Sequence, residues 1–374
     1  MNKNLLIRKF DFEKKIIFNS LTKNISIVKN EGLNDFIKNN NQDFKEIIRE
    51  IDKVKSKKLA LQISMTNSCN LKCSYCFNNG KKETKEIKTN FSIVKKLIKH
   101  IKEKQVKSID IIFTGGEPLI KEKKLVYYII FFNKIISKYK LNKSISLITN
   151  GILLSKDKIE KFYNLGLDNI QITIDGISKE GKFTRDNDSS LDKILKLLFE
   201  YNLINITLRL NINHENFENM KEIIFKLEKF KNKNMYVDIK RIYPTSSQKK
   251  IDYFRYHNLL PNKLINLYNQ MKKLNIRYKG SYFDLFLENC SMESDSFFHV
   301  NENNQIDKCP YLSQNKLILL KQHCEKCSYS IFCKESCFFT KNNKFMSIKE
   351  KYCDYHFYNK IIKFIIKDIK EKRI

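Results

Sequence analysis

The chain of 374 residues has no tryptophan, four prolines, nine glycines and six histidines. So little Pro and Gly excludes a collagen-like or linker-built chain. Arginine is scarce as well: it stands at Arg8, Arg49, Arg185, Arg209, Arg241, Arg255, Arg277 and Arg373, so of 71 basic residues 71 − 8 = 63 are lysine. Proteins that read nucleic acid lean on the planar arginine fork. The formal net charge of +30, spread as lysine along the whole chain, therefore reads first as solvated surface and second as attraction for an acidic partner. A long apolar run is also missing. The longest, 125–136, is about a dozen residues interrupted by Asn133 and Lys134, against roughly 20 needed to cross a bilayer, and it reads as a buried helix. The N-terminal MNKNLLIRKFDFEKK lacks the apolar core of a signal peptide. The expectation is a soluble cytoplasmic protein without a membrane partner, in a compartment where thiols stay reduced.

What is present is a core-forming composition, 42% hydrophobic and 12% aromatic, at a length that allows two domains or one with an appendage. Apolar runs at 59–65, 108–114, 144–149, 169–174, 205–212 and 235–242 read as strands. Amphipathic stretches at 92–103, 119–138, 156–165, 190–201 and 216–230 read as helices between them. Strands alternating with helices imply a parallel sheet covered by helices, open or closed into a partial barrel. Chemistry on such a sheet belongs to the loops after the strand C-termini. Two segments stand outside this alternation. Residues 1–58 contain a hairpin (16–18 and 25–28) followed by helical sequence to about residue 54. Beyond about residue 279 the periodicity fades until a helix near 361–366.

The ten cysteines divide into two sets without remainder. Cys69, Cys73 and Cys76 lie in the loop directly after the first barrel strand, spaced x3 and x2. Cys290, Cys309, Cys324, Cys327, Cys333, Cys337 and Cys353 fill the C-terminal region. Reduced thiolates in clusters select soft centres, zinc or iron–sulfur. A structural zinc takes four closed ligands, whereas three cysteines on a 4Fe–4S cubane leave one iron open for a further ligand.

Cys69-Asn70-Leu71-Lys72-Cys73-Ser74-Tyr75-Cys76 resembles the signature of the radical S-adenosylmethionine (radical SAM) superfamily, with Tyr75 as the aromatic residue before the last cysteine. The resemblance implies a partial (β/α)6 TIM-like barrel whose cysteine triplet holds a 4Fe–4S cluster. The open iron of that cluster chelates S-adenosylmethionine, and an electron from the cluster cleaves the cofactor to a 5′-deoxyadenosyl radical. Thr114-Gly115-Gly116-Glu117-Pro118 resembles the segment that receives the cofactor's methionine amine in that family, with Glu117 and backbone carbonyls as acceptors. Taken alone, the Gly-Gly pair is only a turn signal. Asn150, Thr173, Asp175, Arg185, Arg209 and Asn211 resemble further cofactor contacts at later strand ends. The usual His-Asp pair before the arginine is absent, with Gly181-Lys182 nearby instead.

The C-terminal cysteines resemble a SPASM domain, which carries auxiliary iron–sulfur clusters. By that resemblance Cys324, Cys327, Cys333 and Cys353 hold one cluster and Cys290, Cys309 and Cys337 the other. Asn304 replaces the glycine usual before Cys309 and is the next best residue for a left-handed turn. Three parts are expected: an N-terminal segment (1–58) suited to docking a peptide leader, a radical SAM barrel (59–278), and a SPASM domain with a closing helix (279–374). The resemblance to ribosomal-peptide maturases implies an oxidoreductase that abstracts hydrogen from a peptide and installs a thioether or carbon–carbon crosslink. The implied partners are that peptide or protein substrate and an electron donor of the flavodoxin or ferredoxin type. Two alternatives stand. One is an anaerobic sulfatase-maturing enzyme, although Pro310 follows Cys309 where those relatives carry an aspartate base. The other, from a different class, is a zinc-stabilised nucleic-acid-binding protein.

Overall fold

Six apolar runs with every second residue aliphatic form the six strands of a parallel sheet. β4 (Lys58–Ser64), β5 (Ser108–Thr114), β6 (Asn142–Thr149), β7 (Asn169–Asp175), β8 (Asn205–Ile212) and β9 (Met235–Arg241) follow one another in space as in sequence. In the computed structural model the residues described are 5–9, 13–19, 25–33, 57–73, 76, 91–175, 188–200, 204–212, 216–229, 234–241, 253–278, 296–301, 305–307 and 355–371. The crossovers carry α1 (Phe91–Glu103), α2 (Glu122–Tyr139), α3 (Lys156–Asn164), α4 (Asp188–Glu200) and α5 (Phe217–Lys229), close to the periodicity expected for each. This is the parallel sheet that the alternation implies, in the partial TIM-like α/β barrel form that the resemblance implies.

One face of the sheet is a continuous aliphatic layer. Leu59, Leu61, Ile109, Ile111, Phe113, Ile145, Leu147, Ile170, Ile172, Leu208, Leu210 and Val237 are all buried. That layer faces the helices: a Cβ on Gly151 would touch both the Ile172 side chain and Ile194 of α4. The opposite, concave face is polar, because the intervening positions carry Gln62, Ser146, Gln171, Thr173, Thr207, Arg209, Asn211, Asp238 and Lys240. Burying the aliphatic face stabilises by roughly 1.5–3 kcal/mol per fully covered Leu or Ile, so the fold rests on that layer. The polar wall is left available for chemistry.

Two features extend the expected sheet. β10 (Phe297–Val300) adds parallel to β4, with His299 in register with Gln62, and β11 (Ile306–Asp307) pairs antiparallel on its outer side. The His299 imidazole Nε2 and the Ser64 hydroxyl lie 3.0 Å apart. His100 of α1 meets Phe298 edge-on at 4.9 Å between centroids, and burial pushes its imidazole pKa below the ordinary 6.5, with the Lys104 charge acting in the same direction. A further helix, α6 (Tyr253–Lys273), packs against the last helix, α7 (Tyr355–Glu371), through Tyr268 on Phe364 and Lys272 with Asp368. The closing helix is thus longer than the apolar run 361–366 suggests.

The expected N-terminal hairpin is present as β2 (Lys14–Asn19) and β3 (Ile25–Lys29), with Phe18 in register with Ile25. A strand not expected from sequence, β1 (Leu5–Lys9), pairs antiparallel with β2 and completes a three-stranded sheet. Phe18 joins the barrel core. The helical sequence expected to about residue 54 lies outside the described residues, as do all seven C-terminal cysteines, Tyr75 and Arg185. No helix among the described residues is long and apolar enough to cross a membrane.

Candidate cluster and cofactor site

The cysteine loop begins where β4 ends. Met65 still follows strand geometry, its N–H donating to the Thr114 carbonyl at 2.7 Å. The chain then turns across the mouth of the barrel, with Ser68 N–H donating to the Thr66 hydroxyl. The side chains of Cys69, Cys73 and Cys76 are all half-buried. Leu71 N–H points at Cys69 Sγ at 3.4 Å, and Cys76 N–H donates to the Cys73 carbonyl at 3.1 Å. The Leu71 N–H aimed at sulfur suits a thiolate that carries a metal.

The Thr114–Pro118 segment lies flush against this loop. Gly116 N–H donates to the Thr66 carbonyl (2.6 Å) and Glu117 N–H to the Ser68 carbonyl (2.8 Å). The approach leaves no room for side chains: a Cβ on Gly115 would overlap the Thr66 carbonyl, and one on Gly116 the Ser68 carbonyl. Gly115 also has φ +142°, a conformation open to glycine and strained for other residues. In this structure the glycine pair therefore serves to lock two loops of the barrel together.

Glu117 also has a role inside the fold. It is 0% exposed, and both carboxylate oxygens are engaged inside the protein. Oε1 accepts from Leu119 N–H (3.0 Å) and from the Thr149 hydroxyl (2.7 Å); Oε2 accepts from Asn150 N–H (2.8 Å). The side chain caps the short 3-10 turn Pro118–Lys121 and fastens it to the end of β6. It is a staple between the second and third strand ends.

The staple aims Asn150. With its N–H held by Glu117, the Asn150 side chain donates to Asn70 Oδ1 at 2.7 Å, lies 3.9 Å from Cys69 Sγ, and accepts from Ile152 N–H. Gly151, at φ +81°, makes the turn that sends the chain on toward α3. Asn150, expected as a cofactor contact, is thus joined directly to the cysteine loop. Asn70 and Thr149 were not singled out from sequence. Asn70 lies inside the cysteine motif, where its position was a usable signal; the Thr149 hydroxyl finds Glu117 only through the fold.

Thr173, Arg209 and Asn211 sit on the concave face near the C-terminal ends of β7 and β8. Thr173 is in register with Arg209, and Arg209 Nε donates to Asn211 Oδ1 at 3.2 Å. Asp175 ends β7, opposite Asn211. These positions and the cysteine loop share the strand C-termini, where such a barrel does its chemistry.

The donor set fits an iron–sulfur cluster. Among the described residues no group of three or more His, Cys, Asp or Glu side chains is placed to hold one metal ion. A cubane binds each thiolate at its own iron, so three cysteines spread over one loop serve it without meeting at a single point.

Comparison with known proteins gives the same result. Residues 63–227 match the radical SAM superfamily. Among curated relatives, a GTP 3′,8-cyclase of Aliarcobacter butzleri is 30% identical over 153 residues, 40% of this chain and 45% of that protein. A GTP 3′,8-cyclase of Campylobacter jejuni is 30% identical over 177 residues, 46% and 52% of the two chains. The match thus spans about half the length of these relatives. Among solved structures, anSMEcpe with bound AdoMet superposes with a TM-score of 0.60 at 16% identity, covering 84% of this chain and 100% of that one. Streptococcus suis SuiB bound to precursor peptide SuiA gives 0.51 at 13% identity, covering 93% and 91%. A family match that runs from the end of β4 through β8 into α5 favours this reading over a zinc-stabilised nucleic-acid-binding protein. From the triplet after β4 to the close of α5, the chain carries a radical SAM domain, a family whose cofactors are S-adenosylmethionine and a 4Fe–4S cluster.

Proposed function

We propose that the chain is a radical SAM enzyme that modifies a ribosomally made peptide, forming a thioether or carbon–carbon crosslink. The observation that carries this reading is the three-stranded N-terminal sheet β1–β2–β3 set ahead of the barrel. The peptide-bound SuiB structure, matched over 93% of this chain, supports it. Among the described residues β1 and β3 are the edges of this sheet, and a sheet edge can take up an extended leader peptide.

Cys69, Cys73 and Cys76 are the ligands of the SAM-binding cluster. When bound, that cluster supplies the electron that cleaves the cofactor to the radical which abstracts hydrogen from the peptide. Around it, Glu117 fixes the Gly115–Gly116 segment against the cysteine loop, and Asn150 braces Asn70 beside Cys69. Thr173, Arg209 and Asn211 line the wall where ribose and carboxylate oxygens of the cofactor find donors. Arg185 and Asp175 complete the contacts proposed from sequence. Cys290, Cys309, Cys324, Cys327, Cys333, Cys337 and Cys353 hold two auxiliary clusters, which accept the electron released as the product forms. The anaerobically purified protein then contains roughly twelve irons, three 4Fe–4S clusters. The external electron comes from a flavodoxin- or ferredoxin-type donor.

A second reading, formylglycine formation in a sulfatase, draws on the superposition with anSMEcpe, including the form with bound Cp18Cys peptide, at TM-score 0.60. Anaerobic incubation with short peptides encoded beside the gene, followed by mass spectrometry, separates the two. A product lighter by two hydrogens without an aldehyde supports the crosslink. A hydrazide-reactive aldehyde supports formylglycine. Consumption of GTP with every peptide unchanged overturns both.

A further inference from the structure

The polar wall continues one strand beyond the residues assigned to the cofactor. On β9, Asp238 and Lys240 stand two residues apart on the concave face, with Lys240 Nζ 3.3 Å from Asp238 Oδ1. Both are largely buried, their side chains 13% and 24% exposed. Strand register places Asp238 beside Arg209 and Lys240 beside Asn211. Two strands back, on β7 and in register with Thr207, the Gln171 side-chain nitrogen, buried on the same face, has no hydrogen-bond partner among the described residues. An unmatched buried amide donor of this kind marks a wall made to meet something.

Desolvating two charges is costly, and an aliphatic pair of similar volume would serve stability as well or better. The pair also keeps unused capacity. Lys240 has three donors and Asp238 about four acceptor positions, of which their mutual contact uses one each. A group that meets both must offer Lys240 an acceptor and Asp238 a donor within a few ångströms. It must also carry no net charge: a lone carboxylate or phosphate would oppose Asp238, and a lone amine would oppose Lys240. A secondary amide, C=O beside N–H, satisfies all three conditions.

We propose that Asp238 and Lys240 form the recognition pair for a secondary amide of the substrate, held on the wall next to the cofactor. The inference rests on the reading that Arg209 and Asn211 face the cofactor, so that the adjoining strand faces the second reactant. Under the peptide reading this amide is a peptide unit; the lactam edge of guanine presents the same chemistry.

The test uses the full chain, anaerobically reconstituted and mixed with S-adenosylmethionine. Binding of acetyl-Ala-Cys-Ala-amide and of GTP is followed by ligand-observed NMR. Lys240→Met and the isosteric Asp238→Asn each remove one half of the pair and are expected to weaken binding at least tenfold. The swap Asp238→Lys with Lys240→Asp keeps an ion pair but exchanges donor and acceptor. The expected result is thermal unfolding near that of the natural protein together with the same loss of binding. A purely structural pair would be rescued by the swap, so binding restored there overturns the proposal, as does a natural protein that binds neither probe. GTP binding that depends on the pair, with no tripeptide binding, upholds the amide site and overturns the peptide reading.

Discussion

Replacing Glu117 separates a staple from a ligand contact. In Glu117→Gln the amide oxygen can keep the bonds from Leu119 N–H and the Thr149 hydroxyl, but its NH2 then faces Asn150 N–H, donor against donor. Losing one hydrogen bond to a charged group costs about 1.5–3 kcal/mol. Removing a buried charge returns part of that, so the expected loss is about 2 kcal/mol. Glu117→Ala strands the Leu119 and Asn150 amides in a fully buried place, at about 1–3 kcal/mol each, and leaves a cavity besides; the expected loss is about 3–5 kcal/mol. Against a total stability of about 5–15 kcal/mol, the alanine variant should approach the unfolding threshold. The assay is urea unfolding of the cluster-free protein without S-adenosylmethionine. A lowered midpoint before any cofactor is present identifies the staple. An unchanged midpoint in both variants, combined with weakened S-adenosylmethionine binding, would refute the reasoning and make Glu117 a ligand contact.

Three further outcomes follow from the same geometry. Gly116→Ala drives a methyl group into the Ser68 carbonyl and should reduce bound iron after reconstitution, while Gly32→Ala, where the nearest atom to a new Cβ is a Val28 methyl at 3.9 Å, should not; equal iron in both would contradict the loop-locking role. His100 is held neutral by burial, so the unfolded chain takes up its proton first as pH falls through the ordinary 6.5; stability contributed by the neutral ring is present above that value and is lost below it, and His100→Phe should flatten the slope of unfolding free energy between pH 7 and 5. Glu122, held below the ordinary carboxylate range chiefly by its hydrogen bond from Lys161, should stabilise the contact of α2 with α3 above pH 4.5 and lose that contribution as the solution is acidified further. The effect is about 0.2–1 kcal/mol for a partly exposed pair, read as the difference between the natural protein and Lys161→Met at pH 7 and pH 3.

The barrel was legible because its strands are long aliphatic runs with helical periodicity between them; β5 and β8 fall at the residues that the sequence pattern marks. β10 was not legible. Four residues, Phe297–Val300, make no period, and only the open edge of β4 turns them into a strand. The helix α6 was obscured by Pro261, which reads as a breaker although the helix continues through it. β1 is a five-residue run that gains its identity from pairing with β2. At the site, the cysteine spacing announced a cluster loop, but the inward turn of Glu117 depends on amides and a hydroxyl that converge only when β5 and β6 lie side by side. Asp238 and Lys240 show the reverse case: alternation on β9 places them on one face from sequence alone, yet their significance comes from lying beside Arg209 and Asn211.

The central claim is that Cys69, Cys73 and Cys76 hold the cluster that cleaves S-adenosylmethionine. Its most direct test is the amount of 5′-deoxyadenosine formed when the reconstituted protein, S-adenosylmethionine and dithionite are incubated without oxygen. The account predicts formation by the natural protein and none by the triple Cys→Ala variant, with iron content lower by about four per chain. Continued formation by that variant would contradict it.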